Sequence, residues 1–268
     1  MQTETVRGLS IAYQRAGEGP PLVLLHGILG DSRDWRPQID DLSDNLDVIA
    51  WDAPGCGQSA DPPEEGFEAA DFADCLAEFI REVTASPVHL AGISWGGALA
   101  LEFYRRHPDT TTSLILADTY AGWKGSLPEK VVAERLASCL QESEMPPEEF
   151  VPGWIRGLVT DGAPLELRDE LATTMSEFHP VGYRVMIRAF ADLDLRPVLP
   201  TISVPTLLLW GEDDRRSPLS AAETISDAIA GARLVVVPDA GHVSNMEQPE
   251  RFNAEVRAFC LAVDAAGR

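Results

Sequence analysis

Ser94 stands in the segment Gly92-Ile93-Ser94-Trp95-Gly96, with a glycine two residues away on either side. A serine hydroxyl is a weak nucleophile. It becomes an effective one when a neighbouring base removes its proton during attack on a carbonyl carbon. Val88-His89-Leu90-Ala91 precedes the segment as a strand-like apolar run, and residues 98–104 follow it with helical character. A strand turning abruptly into a helix strains the serine backbone and brings neighbouring chains close, so positions 92 and 96 must be tiny. The same turn lifts the hydroxyl to the end of the sheet, at the positive end of the next helix.

Five histidines are available as bases. His89 falls inside the apolar run before the serine, His107 precedes Pro108 at an expected helix end, and His179 precedes Pro180. His26 directly follows the run 22–25, and His242 lies in Asp239-Ala240-Gly241-His242, after the last expected strand. A carboxylate that orients the base and stabilises its charged form would complete the set. Asp118, after the run 113–117, and the pair Asp213 and Asp214, in Gly211-Glu212-Asp213-Asp214, are the candidates.

The elements that must position these residues read as an alternation of strands and helices. Strands are expected at 8–15, 22–25, 48–51, 88–91, 113–117, 206–210 and 233–237, several of them apolar on both faces, as buried parallel strands must be. Helices are expected at 67–83, 96–106, 220–230 and 249–263; in the last, Phe252, Val256 and Phe259 recur at helical spacing. Between residues 120 and 200 strand-like runs give way to helix-period segments, punctuated by Pro128, Pro146-Pro147, Pro152, Pro164 and Pro180. The expected fold class is therefore α/β, a mostly parallel central sheet with helices on both faces and a helical insertion.

At this point the sequence resembles the α/β-hydrolase fold family, its esterase and enol-lactonase branch. His26-Gly27 after the run 22–25 is similar to the family's oxyanion loop, and Asp52-Ala53-Pro54-Gly55-Cys56-Gly57-Gln58-Ser59 to its D-x-P-G-x-G-x-S loop. The insertion sits where these enzymes carry a cap, which divides the chain into a core of residues 1–119 and 201–268 and a cap of 120–200. The resemblance implies Ser94 as nucleophile, His242 as base and Asp214 as the acid, in the chain order expected of the fold. Asp118 is a second candidate for the acid, because some members place it there, and Asp213 is a one-residue alternative. The backbone N–H groups of Trp95 and Ile28 are the implied oxyanion hole. A serine at the nucleophile position, where haloalkane dehalogenases and epoxide hydrolases need a carboxylate, points away from those branches.

The implied activity is hydrolysis of a small-molecule carboxylic ester or lactone through an acyl-enzyme. The same residues serve carbon–carbon hydrolysis, perhydrolysis and proline-releasing peptidases, and a ligand receptor can be built on the same scaffold. In the insertion, Trp123, Trp154, Tyr183 and Met186, with Phe178, are candidates for an apolar substrate pocket or for the insertion's own core. Arg184 and Arg188, one helical turn apart, can meet a substrate carboxylate or pair with neighbouring acids.

Composition narrows the partners. The chain has 268 residues with 43 acidic and 21 basic side chains, a net charge of −22, so polyanions and anionic membrane surfaces are repelled. Eight acids against the single base Arg81 between residues 61 and 82 read as a solvated helix face. No P-loop, G-x-G-x-x-G or H-E-x-x-H pattern occurs, and no cofactor or metal is implied. Cys56, Cys75, Cys139 and Cys260 are scattered and read as buried thiols. With no signal-like start and no apolar run of about 20 residues, the expected location is the cytoplasm, as monomer or homodimer.

Overall fold

The computed structural model describes residues 1–85 and 87–267. Eight strands form one sheet: β1 (Gln2–Val6), β2 (Leu9–Ala16), β3 (Pro21–Leu25), β4 (Asp47–Trp51), β5 (Val88–Ile93), β6 (Thr111–Ala117), β7 (Thr206–Gly211) and β8 (Arg233–Val237). Their spatial order is β1-β2-β4-β3-β5-β6-β7-β8. The first three strands in that order pair antiparallel, and from β4 to β8 every pair is parallel. The β1–β2 hairpin turns through Arg7 and Gly8, both at positive φ (50° and 81°), the backbone that matches the right-handed twist of flanking strands.

Strands β3, β4, β5 and β7 are buried along their whole length, which explains their continuous apolar runs. Alternate residues serve opposite layers. Val23 and Leu25 join one core with α2 (Ala69–Val83) and α3 (Trp95–Arg106), whereas Leu22 and Leu24 join another with α1 (Arg36–Leu42) and α10 (Pro249–Ala266). Helix α2 turns Phe72, Leu76, Phe79 and Val83 inward. Its acids Asp71, Asp74, Glu78 and Glu82 stay partly or fully exposed, with Asp74 bonded to Arg106 at 2.6 Å.

Two elements carry no signal in the sequence. Strand β1 is a polar edge strand in which only Val6 is buried, so it lacks an apolar run. Helix α1 has seven residues, too few to establish a helical period.

Four helices stand between β6 and β7: α4 (Glu129–Glu142), α5 (Pro147–Leu158), α6 (Leu165–Ser176) and α7 (Pro180–Asp192). The prolines mostly start helices rather than break them. Pro128, Pro146 and Pro164 are the residues just before α4, α5 and α6, and Pro147 and Pro180 are the first residues of α5 and α7. A proline in the first turn loses no hydrogen bond, because that N–H has no intrahelical partner. Pro152 differs in lying inside α5. Helix α8 (Leu219–Ala228) and the short turn α9 (Ser244–Glu247) complete the chain.

Ser94, His242 and the three candidate acids each lie just beyond the carboxyl end of a parallel strand. Ser94 follows β5, Asp118 follows β6, Asp213 and Asp214 follow β7, and His242 follows β8. Loops at this end of an open α/β sheet are where ligands bind.

Candidate active site

Ser94 occupies φ 55°, ψ −120°, a conformation that costs a non-glycine residue about 1–3 kcal/mol and persists only when its surroundings enforce it. They do so here. A Cβ on Gly92 would lie 2.2 Å from the Gly96 carbonyl oxygen, and one on Gly96 would lie 2.1 Å from that of Leu25. The Ser94 N–H donates to Ala117 at 3.0 Å and the Thr119 hydroxyl donates to the Ser94 carbonyl. Strand, turn and helix are thus pinned around the serine, whose hydroxyl faces a cavity.

His242 presents Nε2 to Ser94 Oγ at 2.9 Å and Nδ1 to Asp214 Oδ2 at 2.8 Å. Asp214 Oδ1 accepts the backbone N–H groups of Arg216 (2.8 Å) and Ser217 (2.9 Å), which fixes the carboxylate in plane and leaves Oδ2 for the imidazole. With Nδ1 donating to Asp214, Nε2 is the bare nitrogen and can accept the Ser94 proton. Gly211 is required for this approach, since a Cβ there would lie 2.0 Å from the Gly241 carbonyl oxygen.

The three candidate acids separate cleanly. Asp214 is buried and bonded to His242. Asp213 is exposed, and its backbone N–H donates to Ala240. Asp118 is fully buried, but its oxygens are taken by the Gly211 N–H (2.7 Å) and the Ser244 hydroxyl (2.5 Å). Burial, reinforced by the nearby charge of Asp214, pushes the Asp118 carboxyl well above the usual carboxylate range. Asp118 therefore braces the ends of β7 and α9 under the site.

His26 holds backbone rather than moving protons. Its Nε2 accepts from the Ala53 N–H at 3.0 Å, so Nδ1 carries the hydrogen and donates to the Gly27 carbonyl at 2.8 Å. That clamps the 26–30 loop to the 52–59 loop. Asp52 secures the second loop by accepting from the N–H groups of Ser32 and Gln58, each at 2.8 Å. Ile28 lines the cavity beside Ser94. Trp95 is the first residue of α3, where an N–H has no intrahelical acceptor, and its buried indole packs edge-on against Phe72 and Phe190.

The cavity is small, about 50 Å³, on a scale where one water needs about 10–15 Å³. The helical insertion forms much of its wall. Trp123 and Trp154 line it, and the Phe190 ring lies tilted against Trp123 with centroids 4.9 Å apart. Tyr183 and Met186 do not line it. They face a neighbouring small cavity against Gly55 and Cys56, and the Tyr183 hydroxyl donates to Glu142 at 3.0 Å. The insertion buries one side of α7 in the core, and that side carries both residues. Arg184 pairs with Glu64 at 2.6 Å and Arg188 approaches the same carboxylate at 3.7 Å, so both are occupied by an acid of the chain.

The lining also includes residues with no motif to reveal them, among them Asp34, Arg135, Met175 and Arg216. Arg216 offered a faint signal in its place two residues after Asp214; the others are isolated in sequence. Among the described residues, no cluster of three or more His, Cys, Asp or Glu side chains is placed to hold a metal ion. Nor is any helix long and apolar enough to cross a membrane.

A mostly parallel sheet with a strained serine at the strand-to-helix turn, facing a histidine held by an aspartate, defines a hydrolase class. The chain belongs to the alpha/beta hydrolase family, whose family model matches residues 22–255. Among curated relatives, it is 28% identical over 254 residues to the (E)-2-((N-methylformamido)methylene)succinate hydrolase of Acinetobacter baylyi, with 92% of each chain covered. Among solved structures it is similar to a thermophilic esterase from Thermogutta terrifontis, with TM-score 0.90, 29% identity and 98% of each chain covered. It also shares the fold of the enol-lactonase from Burkholderia xenovorans, with TM-score 0.87, 24% identity, 97% of this chain and 100% of that one. The protein is a hydrolase with esterase and related hydrolase homologues.

Proposed function

We propose that this protein is a serine hydrolase that cleaves a carboxylic ester or lactone through an acyl-enzyme on Ser94. The observation that carries the reading is the continuous hydrogen-bonded line from Ser94 Oγ through His242 to Asp214, at 2.9 and 2.8 Å. His242 Nε2 takes the serine proton as Oγ attacks the carbonyl, and Asp214 stabilises the imidazolium that forms. The N–H groups of Ile28 and Trp95 receive the developing oxyanion; each such donor is worth about 2.7–4 kcal/mol in the transition state. His242 then protonates the leaving alcohol. Water attacks the acyl-enzyme with the same base, and the carboxylic acid leaves. In a lactone the alcohol and the acid are two ends of one product. The insertion acts as a cap that encloses the acyl group and keeps bulk water from the reacting atoms.

Multiple-turnover hydrolysis of p-nitrophenyl acetate and butyrate, with Ser94→Ala alongside, tests this. Loss of the nucleophile is expected to lower kcat by about 10⁴-fold or more, and a fluorophosphonate should label Ser94 in the wild type alone. A Ser94→Ala enzyme that keeps its turnover overturns the reading.

A further inference from the structure

In a chain with 43 acids and 21 bases, a base without an acid is the exception, and two such bases face the serine. Arg135 and Arg216 both line the Ser94 cavity. Among the described residues neither makes an ion pair with a carboxylate, whereas Arg184, Arg188, Arg196 and Arg215 all do. Their neighbours are aromatic faces. The Arg216 guanidinium lies 3.8 Å from the centre of the Trp154 ring, and that of Arg135 lies 5.5 Å from Trp123 and 5.9 Å from Tyr120. Rings hold a guanidinium in place without neutralising it, and Arg135 also hydrogen-bonds the Tyr120 hydroxyl. Burial, with the like charge of Arg135 adding to it, pulls Arg216 below its ordinary value, with Asp214 among the groups that partly offset this.

These four side chains also form a partition. Trp123, Arg135, Trp154 and Arg216 line the small cavity at Ser94 and, on their other side, a cleft of about 580 Å³ between α4 and α5. In the cleft, Glu142 accepts from the Trp154 indole (2.9 Å), the Tyr183 hydroxyl (3.0 Å) and Ser138 (3.2 Å). Glu149 and Cys139 are also in its wall, as is Arg215, which pairs with Asp161. In the inner cavity, His242 is committed to Ser94 and Asp214. The remaining titratable groups beside the two arginines are Tyr120, whose hydroxyl donates to the Arg216 carbonyl at 2.9 Å, and Asp34, whose carboxyl is held well above the usual range by burial and the neighbouring charge of Asp31.

We propose that Arg135 and Arg216 form an anion-binding fork for a carboxylate on the substrate, so that the ester or lactone cleaved at Ser94 carries a second, free carboxylate. The proposal rests on the serine-hydrolase reading and names the substrate class it acts on: half-esters of dicarboxylic acids, or lactones bearing a carboxylate. The charged group sits at the partition, with the scissile carbonyl inward at Ser94 and the fork at the boundary with the cleft. Two guanidiniums give a carboxylate charge-assisted, directional hydrogen bonds that a neutral ester cannot make.

Matched pairs of esters test it: monoethyl succinate against ethyl butyrate, and monoethyl glutarate against ethyl pentanoate, each pair differing only in a terminal carboxylate or methyl. The wild type is expected to favour the anionic member by about ten-fold or more in kcat/KM, mainly through KM. Arg216→Gln and Arg135→Gln should each lower that ratio by about ten-fold or more, with Arg216→Lys recovering part of it. Arg81→Gln, at an exposed position on α2, controls for net charge. Equal kcat/KM for the two members, or arginine variants that leave the ratio intact, overturn the fork. Calorimetric titration with glutarate gives a readout free of turnover: binding to the wild type that is lost in Arg216→Gln supports the fork, and no binding to the wild type counts against it. Failure of the serine reading shows separately, as turnover that survives in Ser94→Ala.

Discussion

The backbone N–H of His242 donates to the carbonyl oxygen of Leu158 at 2.7 Å, joining the histidine that faces Ser94 to the last residue of α5 in the insertion. Glu247 adds a second tie between the same parts. Its carboxylate accepts from the Gly241 N–H (2.6 Å) and from both the N–H (2.9 Å) and the hydroxyl (2.7 Å) of Thr160. The histidine loop and the insertion are therefore tied together by hydrogen bonds.

Removing that carboxylate should affect both stability and chemistry. Glu247→Ala strands three donors, and the expected loss is about 2–3 kcal/mol, read from urea unfolding. The expected kinetic signature is a fall in kcat of about ten-fold with a smaller change in KM, since His242 loses its placement before the substrate loses its pocket. Glu247→Gln, which keeps one acceptor oxygen, should recover part of both. An unchanged kcat in Glu247→Ala would show that Leu158 alone positions the loop.

The acids give a second contrast. Asp214→Asn can no longer enforce the Nδ1–H form of His242, and kcat/KM on an ethyl ester is expected to fall by about 10⁴-fold. Asp118→Asn should stay within about ten-fold of wild type, because Asp118 bonds Gly211 and Ser244 and not the imidazole. Asp213→Asn, at an exposed position, should leave the rate unchanged. Equal losses in the first two variants would contradict the separate roles the geometry gives them.

Two glycine-to-alanine substitutions should have opposite signs. Gly96→Ala puts a methyl 2.1 Å from the Leu25 carbonyl oxygen and 2.7 Å from that of His26, backbone that cannot yield. We expect a loss of about 3 kcal/mol or more, or an insoluble product. Gly153→Ala, inside α5, meets only the end of the Arg156 side chain at 3.9 Å. It should raise stability by about 0.4–1 kcal/mol through helix propensity and a less flexible unfolded chain. Urea midpoints of the two variants decide both.

A pH effect is expected far from the site. His89 lies in β5 with its ring nitrogens against Ser113 (2.8 Å) and Asp264 (3.2 Å), and burial lowers its pKa below the usual 6.5, with Asp264 partly offsetting this. The folded protein then holds His89 neutral where the unfolded chain is already protonated. The unfolded state binds the extra proton, so this contribution to stability is present above the usual value and is lost as pH falls through it. Between about pH 7 and about pH 5 the wild-type urea midpoint should drop more than that of His89→Gln. Parallel profiles would show that His89 is not part of the acid sensitivity.

Local chemistry made much of this molecule readable from its sequence. The strand-to-helix turn at Ser94 is encoded within a few residues, because glycines at 92 and 96 are what the close backbone approach to Leu25 and Gly96 demands. The parallel core announced itself because strands buried on both faces must be apolar throughout. Strand β1 and helix α1 were silent for converse reasons, one being a polar edge and the other only two turns long. Which carboxylate reaches His242 was decided by tertiary structure: Asp213 and Asp214 are adjacent in the chain, and only the turn that offers the Arg216 and Ser217 N–H groups aims one of them inward. The pocket was decided the same way. Helical spacing shows that Trp123, Trp154, Tyr183 and Met186 are apolar or aromatic, but the rotation of each segment against the sheet determines which two meet the cavity at Ser94. The setting of Arg135 and Arg216 belongs to tertiary structure as well, because only the packing of the insertion lays these guanidiniums against Trp123 and Trp154 at the cavity.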